Sequence, residues 1–106
     1  MTNTRIVLTN FSDQETAEAI AETLVEKGLV ACVSLLPGAT SIYRWGGKLT
    51  KDSEVLGILK TTRERVGDLE QALLELHPYD VPEFLVLTVE GGSEDYLNWL
   101  TQESSA

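Results

Sequence analysis

Short apolar runs rich in β-branched residues alternate along the chain with stretches where apolar positions recur every three or four residues, and these two periods assign the elements. Residues 5–11 (Arg-Ile-Val-Leu-Thr-Asn-Phe) are the first such run, a strand expected to be buried on both faces. Ser12 and Glu15 have the spacing of a capping box, and Ala17, Ile20, Ala21, Leu24 and Val25 then follow at helical spacing until Gly28, which predicts a first helix over 13–27. A second strand over 29–36 runs into Pro37-Gly38, a pair that demands a bend or bulge, yet 40–45 (Thr-Ser-Ile-Tyr-Arg-Trp) keeps strong strand propensity. Gly46-Gly47 is a hairpin turn, 48–51 leads back, and 54–60 is a third strand, so strands two and three make one long hairpin.

Thr61 and Glu64 repeat the capping-box spacing before Val66, Leu69, Ala72, Leu73 and Leu76, the stripe of a second helix that must stop before Pro78. Residues 81–90 form a fourth strand, placed at a sheet edge because Pro82 has no N–H for a ladder. Gly91-Gly92 ends it. Ser93 and two acidic residues then open a last helix carrying Tyr96, Leu97, Trp99 and Leu100, and 101–106 reads as a frayed tail. The order β-α-β-β-α-β plus a C-terminal helix predicts one α+β domain over 1–106: a ferredoxin-like βαββαβ sandwich with an extended hairpin.

Two helices cover only one face of such a sheet, whereas these strands carry apolar groups on both. The hairpin arm, with Ile42, Tyr43 and Trp45, is also marginal alone in water, so both features predict packing on another copy of the chain. The alternative is that Tyr43 and Trp45 fold back on their own sheet.

Charge narrows the partners. Eight Lys and Arg against seventeen Asp and Glu give a net charge of −9, the wrong sign for nucleic acid or an anionic membrane surface. Such a surface attracts cations diffusely, so a metal site requires convergent ligands. Cys32 is the only cysteine, which excludes an intrachain disulfide and, with the polar first residues, points to a reducing, cytoplasmic setting. The apolar run at 6–8 is far too short to span a membrane.

Several segments together resemble the divalent-cation tolerance (CutA) family: Ala31-Cys32-Val33, Pro37-Gly38, Thr40-Ser41-Ile42-Tyr43-Arg44-Trp45, Gly47-Lys48, Glu54-Val55, Lys60-Thr61, and His77-Pro78-Tyr79-Asp80-Val81-Pro82-Glu83. Ser34 and Asp80 depart from that pattern, where asparagine and glutamate are frequent. The resemblance implies a homotrimer similar in architecture to the PII signalling proteins, with clefts between subunits and a link to copper and other divalent cations that folding does not require.

Within that frame Cys32 is a candidate soft ligand or a small buried hydrophobe, and His77 a candidate imidazole ligand or a partner of its helix C-terminus. Glu83 and Asp80 flank the edge segment around Pro82 as further carboxylates, and no chelate spacing links any of these. Lys60, just before a helix start, would suit an anion and, with Trp45, Glu54 and Tyr79, would line a polar cleft between subunits. Cys32 and His77 alone do not make a nucleophile and base, so the chain is not expected to be an enzyme. Metal tolerance leads. The alternatives are a PII-like sensor of a small anionic ligand and a passive assembly scaffold.

Overall fold

The computed structural model describes residues 2–105. Strand β1 (Thr4–Phe11) lies inside a four-stranded antiparallel sheet between β3 (Lys48–Thr62) and β4 (Leu85–Thr88), with β2 (Cys32–Trp45) on the far side of β3. Helices α1 (Gln14–Glu26) and α2 (Val66–Leu76) follow β1 and β3, and α3 (Glu94–Glu103) closes the chain.

The core forms where both helices meet one sheet face. Val7 and Phe11 of β1 and Val55 and Leu59 of β3 pack with Ile20 and Leu24 of α1 and Leu69 and Leu73 of α2. Strand periodicity puts their neighbours Ile6, Leu8, Leu56, Ile58 and Lys60 on the opposite face, where they are only half-buried. The first strand is therefore fully buried on one face rather than two. Helix α3 lies against β1 and β3 at the Lys60 end of this second face, and among the described residues no helix covers the rest of it.

Both capping boxes give way to other contacts. Asp13, not Ser12, caps α1: its carboxylate accepts from the Thr16 backbone N–H at 2.8 Å and from the Thr16 hydroxyl. These bonds favour the charged carboxylate and hold it below its ordinary range. Thr61 stays in the strand, where its buried hydroxyl donates to the Leu29 carbonyl at 2.7 Å, and a 3₁₀ turn (Arg63–Arg65) precedes α2. At α3 the expected cap holds, with Ser93 Oγ accepting from the Tyr96 N–H. That helix also takes in 101–103 of the segment expected to fray, Ser104 just past its end is buried with its hydroxyl donating to the Leu100 carbonyl, and residue 106 lies outside the described residues.

The hairpin is longer and more continuous than its sequence suggests. Residues 29–31 are a buried lead-in, and β2 and β3 then pair from Cys32↔Lys60 to Trp45↔Lys48. The register slips once, between Leu36↔Leu56 and Ala39↔Glu54, so Pro37-Gly38 supplies the extra residue of a bulge. Gly46 and Gly47 have φ of 59° and 79°, the two left-handed residues of a turn matched to strand twist. The arm stretches the molecule to 44 Å in a body otherwise 26 by 22 Å. Its Trp45 is 63% exposed and does not fold back on its own sheet, whereas Tyr43 is 38% exposed and its hydroxyl bonds Asp52 on the neighbouring strand of the arm.

Candidate functional site

A cleft opens where the base of the arm meets the segment after α2. The bulge determines which side chains reach it. Before the bulge, Cys32, Ser34 and Leu36 sit opposite Lys60, Ile58 and Leu56; beyond it the odd-numbered Ser41, Tyr43 and Trp45 share a face with Asp52 and Glu54. The cavity is about 650 Å³, walled by Tyr43, Trp45 and Tyr79 and by the carboxylates of Asp52, Glu54, Asp80 and Glu83.

His77 fixes the second wall. It ends α2, is buried, and stacks on Phe11 with ring centroids 5.1 Å apart. Its Nδ1 accepts from the Tyr79 N–H at 3.1 Å, so the ring hydrogen sits on Nε2, which donates to the Asn10 carbonyl at 2.7 Å. The Asn10 side chain in turn donates to Glu83 Oε1 at 3.3 Å. Residues 79–83 are thereby tied to the end of β1, and 81–84 bend along the cleft instead of continuing β4, which shortens the strand expected over 81–90 to Leu85–Thr88. As expected, β4 lies at the sheet edge.

Across the cleft the Tyr79 hydroxyl donates to Glu54 Oε2 at 2.8 Å. Burial, and then this bond to a carboxylate, push the Tyr79 phenol above its ordinary value. The Tyr43 hydroxyl donates to Asp52 and is raised chiefly by that bond. Each tyrosine therefore presents its neutral form beside a carboxylate.

Of the four residues expected to line a cleft between subunits, Trp45, Glu54 and Tyr79 line this cavity of the single chain and Lys60 does not. Lys60 stands at the other end of the open face, its Nζ donating to the Tyr96 hydroxyl at 3.2 Å, and that bond raises its pKa. The metal candidates are dispersed. Cys32 pairs with Lys60, whereas His77 contacts Asn10, four residues further along β1 than the Lys60 partner Ile6, or about 13 Å of strand. Both His77 ring nitrogens are also engaged. Among the described residues no three His, Cys, Asp or Glu side chains converge, so Cys32, His77 and Glu83 do not form a metal centre within one chain. Sequence reasoning missed Tyr43, Asp52 and Asn10 as wall residues. Counting alternate positions from the bulge and the glycine turn is the signal that finds the first two.

Comparison with known proteins follows the same residues. A family model described as CutA1 divalent ion tolerance protein matches residues 5–103. The divalent-cation tolerance protein CutA of Thermus thermophilus is 42% identical over 99 residues, which is 93% of this chain and 96% of that protein. CutA from Xylella fastidiosa superposes with a TM-score of 0.95 at 36% identity, covering 98% of this chain and 100% of the other. A CutA from Archaeoglobus fulgidus described as periplasmic superposes with a TM-score of 0.92 at 28% identity, covering 96% and 99%.

Proposed function

From the premise that this chain belongs to the CutA1 divalent ion tolerance family, we propose that it is a non-catalytic divalent-cation tolerance protein that works as a homotrimer. The observation that carries the assembly is the uncovered apolar surface. Leu85 and Leu87 of β4 and Leu36 of β2 share the open sheet face, and Ile42, Trp45 and Leu49 stand out on the arm, with Leu49 78% exposed. Surface of this kind is stable in water when another chain covers it. The strand order, with β3 between two strands separated by a helical crossover, supports placing the subunit in the ferredoxin-like class and its assembly beside the PII-like trimers.

Copper or another divalent cation acts on this assembly through ligands from more than one subunit, with Cys32 on the open face as the thiol donor. A lone cysteine is consistent with a reducing, cytoplasmic location. An anion-sensing role has less support, because Lys60 lies apart from the cleft and four carboxylates line it. Sedimentation equilibrium at micromolar chain concentration, combined with Cu(II) titration, tests the reading. A trimer mass and saturable Cu(II) binding that weakens in Cys32→Ala are expected. A folded single chain, or Cu(II) uptake that vanishes in moderate salt and ignores Cys32, would overturn it.

A further inference from the structure

The chain's single histidine holds the segment after α2 by a bond that one added proton would reverse. Both His77 ring nitrogens face backbone groups whose roles are fixed. The Asn10 carbonyl can only accept from Nε2, and the Tyr79 N–H can only donate to Nδ1. The ring is 6% exposed and lies between two aromatic side chains, stacked on Phe11 and tilted against Tyr79 with centroids 4.6 Å apart. From 78 to 83 the main chain makes no backbone–backbone hydrogen bond among the described residues, so the bond from the Tyr79 N–H to His77 is its one main-chain tether.

A proton added to this ring goes to the Nδ1 lone pair and turns the acceptor into a donor facing a donor. The ring gains nothing by turning over, because carbons would then occupy both positions and the Asn10 bond would be lost as well. The Phe11 face and the C-terminal end of α2 both favour an imidazolium, so the ring stays and the Tyr79 peptide moves. We propose that His77 is a proton-operated latch: protonation keeps its bond to β1, breaks its bond to Tyr79, and so frees 78–83 and withdraws the Tyr79 hydroxyl from Glu54. The other titratable groups on the elements around the ring are Glu75 of α2, Glu54 of β3, Asp13 after β1, and Tyr79, Asp80 and Glu83 of the segment itself. Among the described residues no carboxylate comes within salt-bridge distance of the ring. Every contact of the latch lies within one chain, so it depends on neither the trimer nor the metal reading.

Nuclear magnetic resonance of the full chain in its native assembly, with a chelator present, tests the latch from about pH 8 to pH 5, where histidine side chains ordinarily gain their charge. A single histidine gives a single imidazole titration. The Tyr79 amide should shift with the same midpoint as the His77 ring. Its protection from exchange, corrected for the intrinsic effect of pH, should fall about tenfold, the loss of one hydrogen bond. The Nε2 proton should stay protected; its loss at the same midpoint would mean that the whole ring leaves, and would overturn the proposal. In His77→Gln, whose amide can donate to Asn10 and accept from Tyr79 without titrating, the Tyr79 shift should vanish. A shift that persists there belongs to a carboxylate such as Glu54 or Glu83 and refutes the latch. So does a ring that titrates while the Tyr79 amide stays unchanged, or one that remains neutral until all amides lose protection together. These last two outcomes are read on the native chain, so the test stands even if His77→Gln folds poorly.

Discussion

Thr9 is fully buried in β1, and its Oγ1 has no hydrogen-bond partner among the described residues. Valine has nearly the same shape without the hydroxyl, so Thr9→Val should stabilise the chain by roughly 1–2 kcal/mol and raise Tm by several degrees. A lower Tm would mean that the hydroxyl has an unseen partner such as water. Tyr79 gives a prediction at alkaline pH. Its folded pKa lies above the unfolded value near 10, so its contribution is fully present below that pH and is lost as pH rises beyond it. Unfolding midpoints of the native chain should therefore fall above pH 10. In Tyr79→Phe that fall should be shallower, from a lower starting stability because the Glu54 bond is gone. The caps show how far the sequence could be read at this scale. Ser12-Asp13 places two acceptors in succession, each with a plausible partner three residues on. Only the fold shows that Asp13 finds both Thr16 donors. His77 reads equally well as a ligand or as a helix end, and its two hydrogen bonds make it a structural pin.

At the scale of elements, the order of strands and helices was legible because runs and stripes are local signals. Their ends were less so, since they depend on contacts made across the fold. The arm and the third strand read as separate segments because Lys51, Asp52 and Ser53 have weak strand propensity. Pairing with 40–42 holds them in one ladder. β4 was overestimated because the apolar residues Val81 and Phe84 look like strand, whereas Glu83 is drawn toward Asn10. Gly57 tests how tightly β3 is packed. A Cβ there would lie 3.0 Å from Phe11 Cε2 and 3.2 Å from Thr9 Cγ2, both in the crowded centre of the sheet. Gly57→Ala should cost about 1–3 kcal/mol and lower the urea midpoint with an unchanged slope. An unchanged midpoint would mean that Phe11 moves aside freely.

For the whole molecule, the sequence correctly implied apolar surface on both sheet faces but could not show that α3 takes one corner of the second. That corner is set by Lys60 meeting Tyr96 and by Leu100 becoming buried, both long-range events. The remaining apolar face gives the assembly its most direct test. Leu85→Asp places a charge on an exposed position of that face, so it should lower the sedimenting mass toward a single chain with little change in helix content. A trimer mass retained by this variant would remove the face from the proposed interface.

Removing either residue of the Pro37-Gly38 insertion would leave all the neighbouring partnerships intact, because Leu36 would still oppose Leu56 and Ala39 would still oppose Glu54. Only the local kink would go. The protein thus owns an elbow whose angle can be reset without altering the palm beyond it. Its reach toward a neighbour and the chemistry it holds can vary independently.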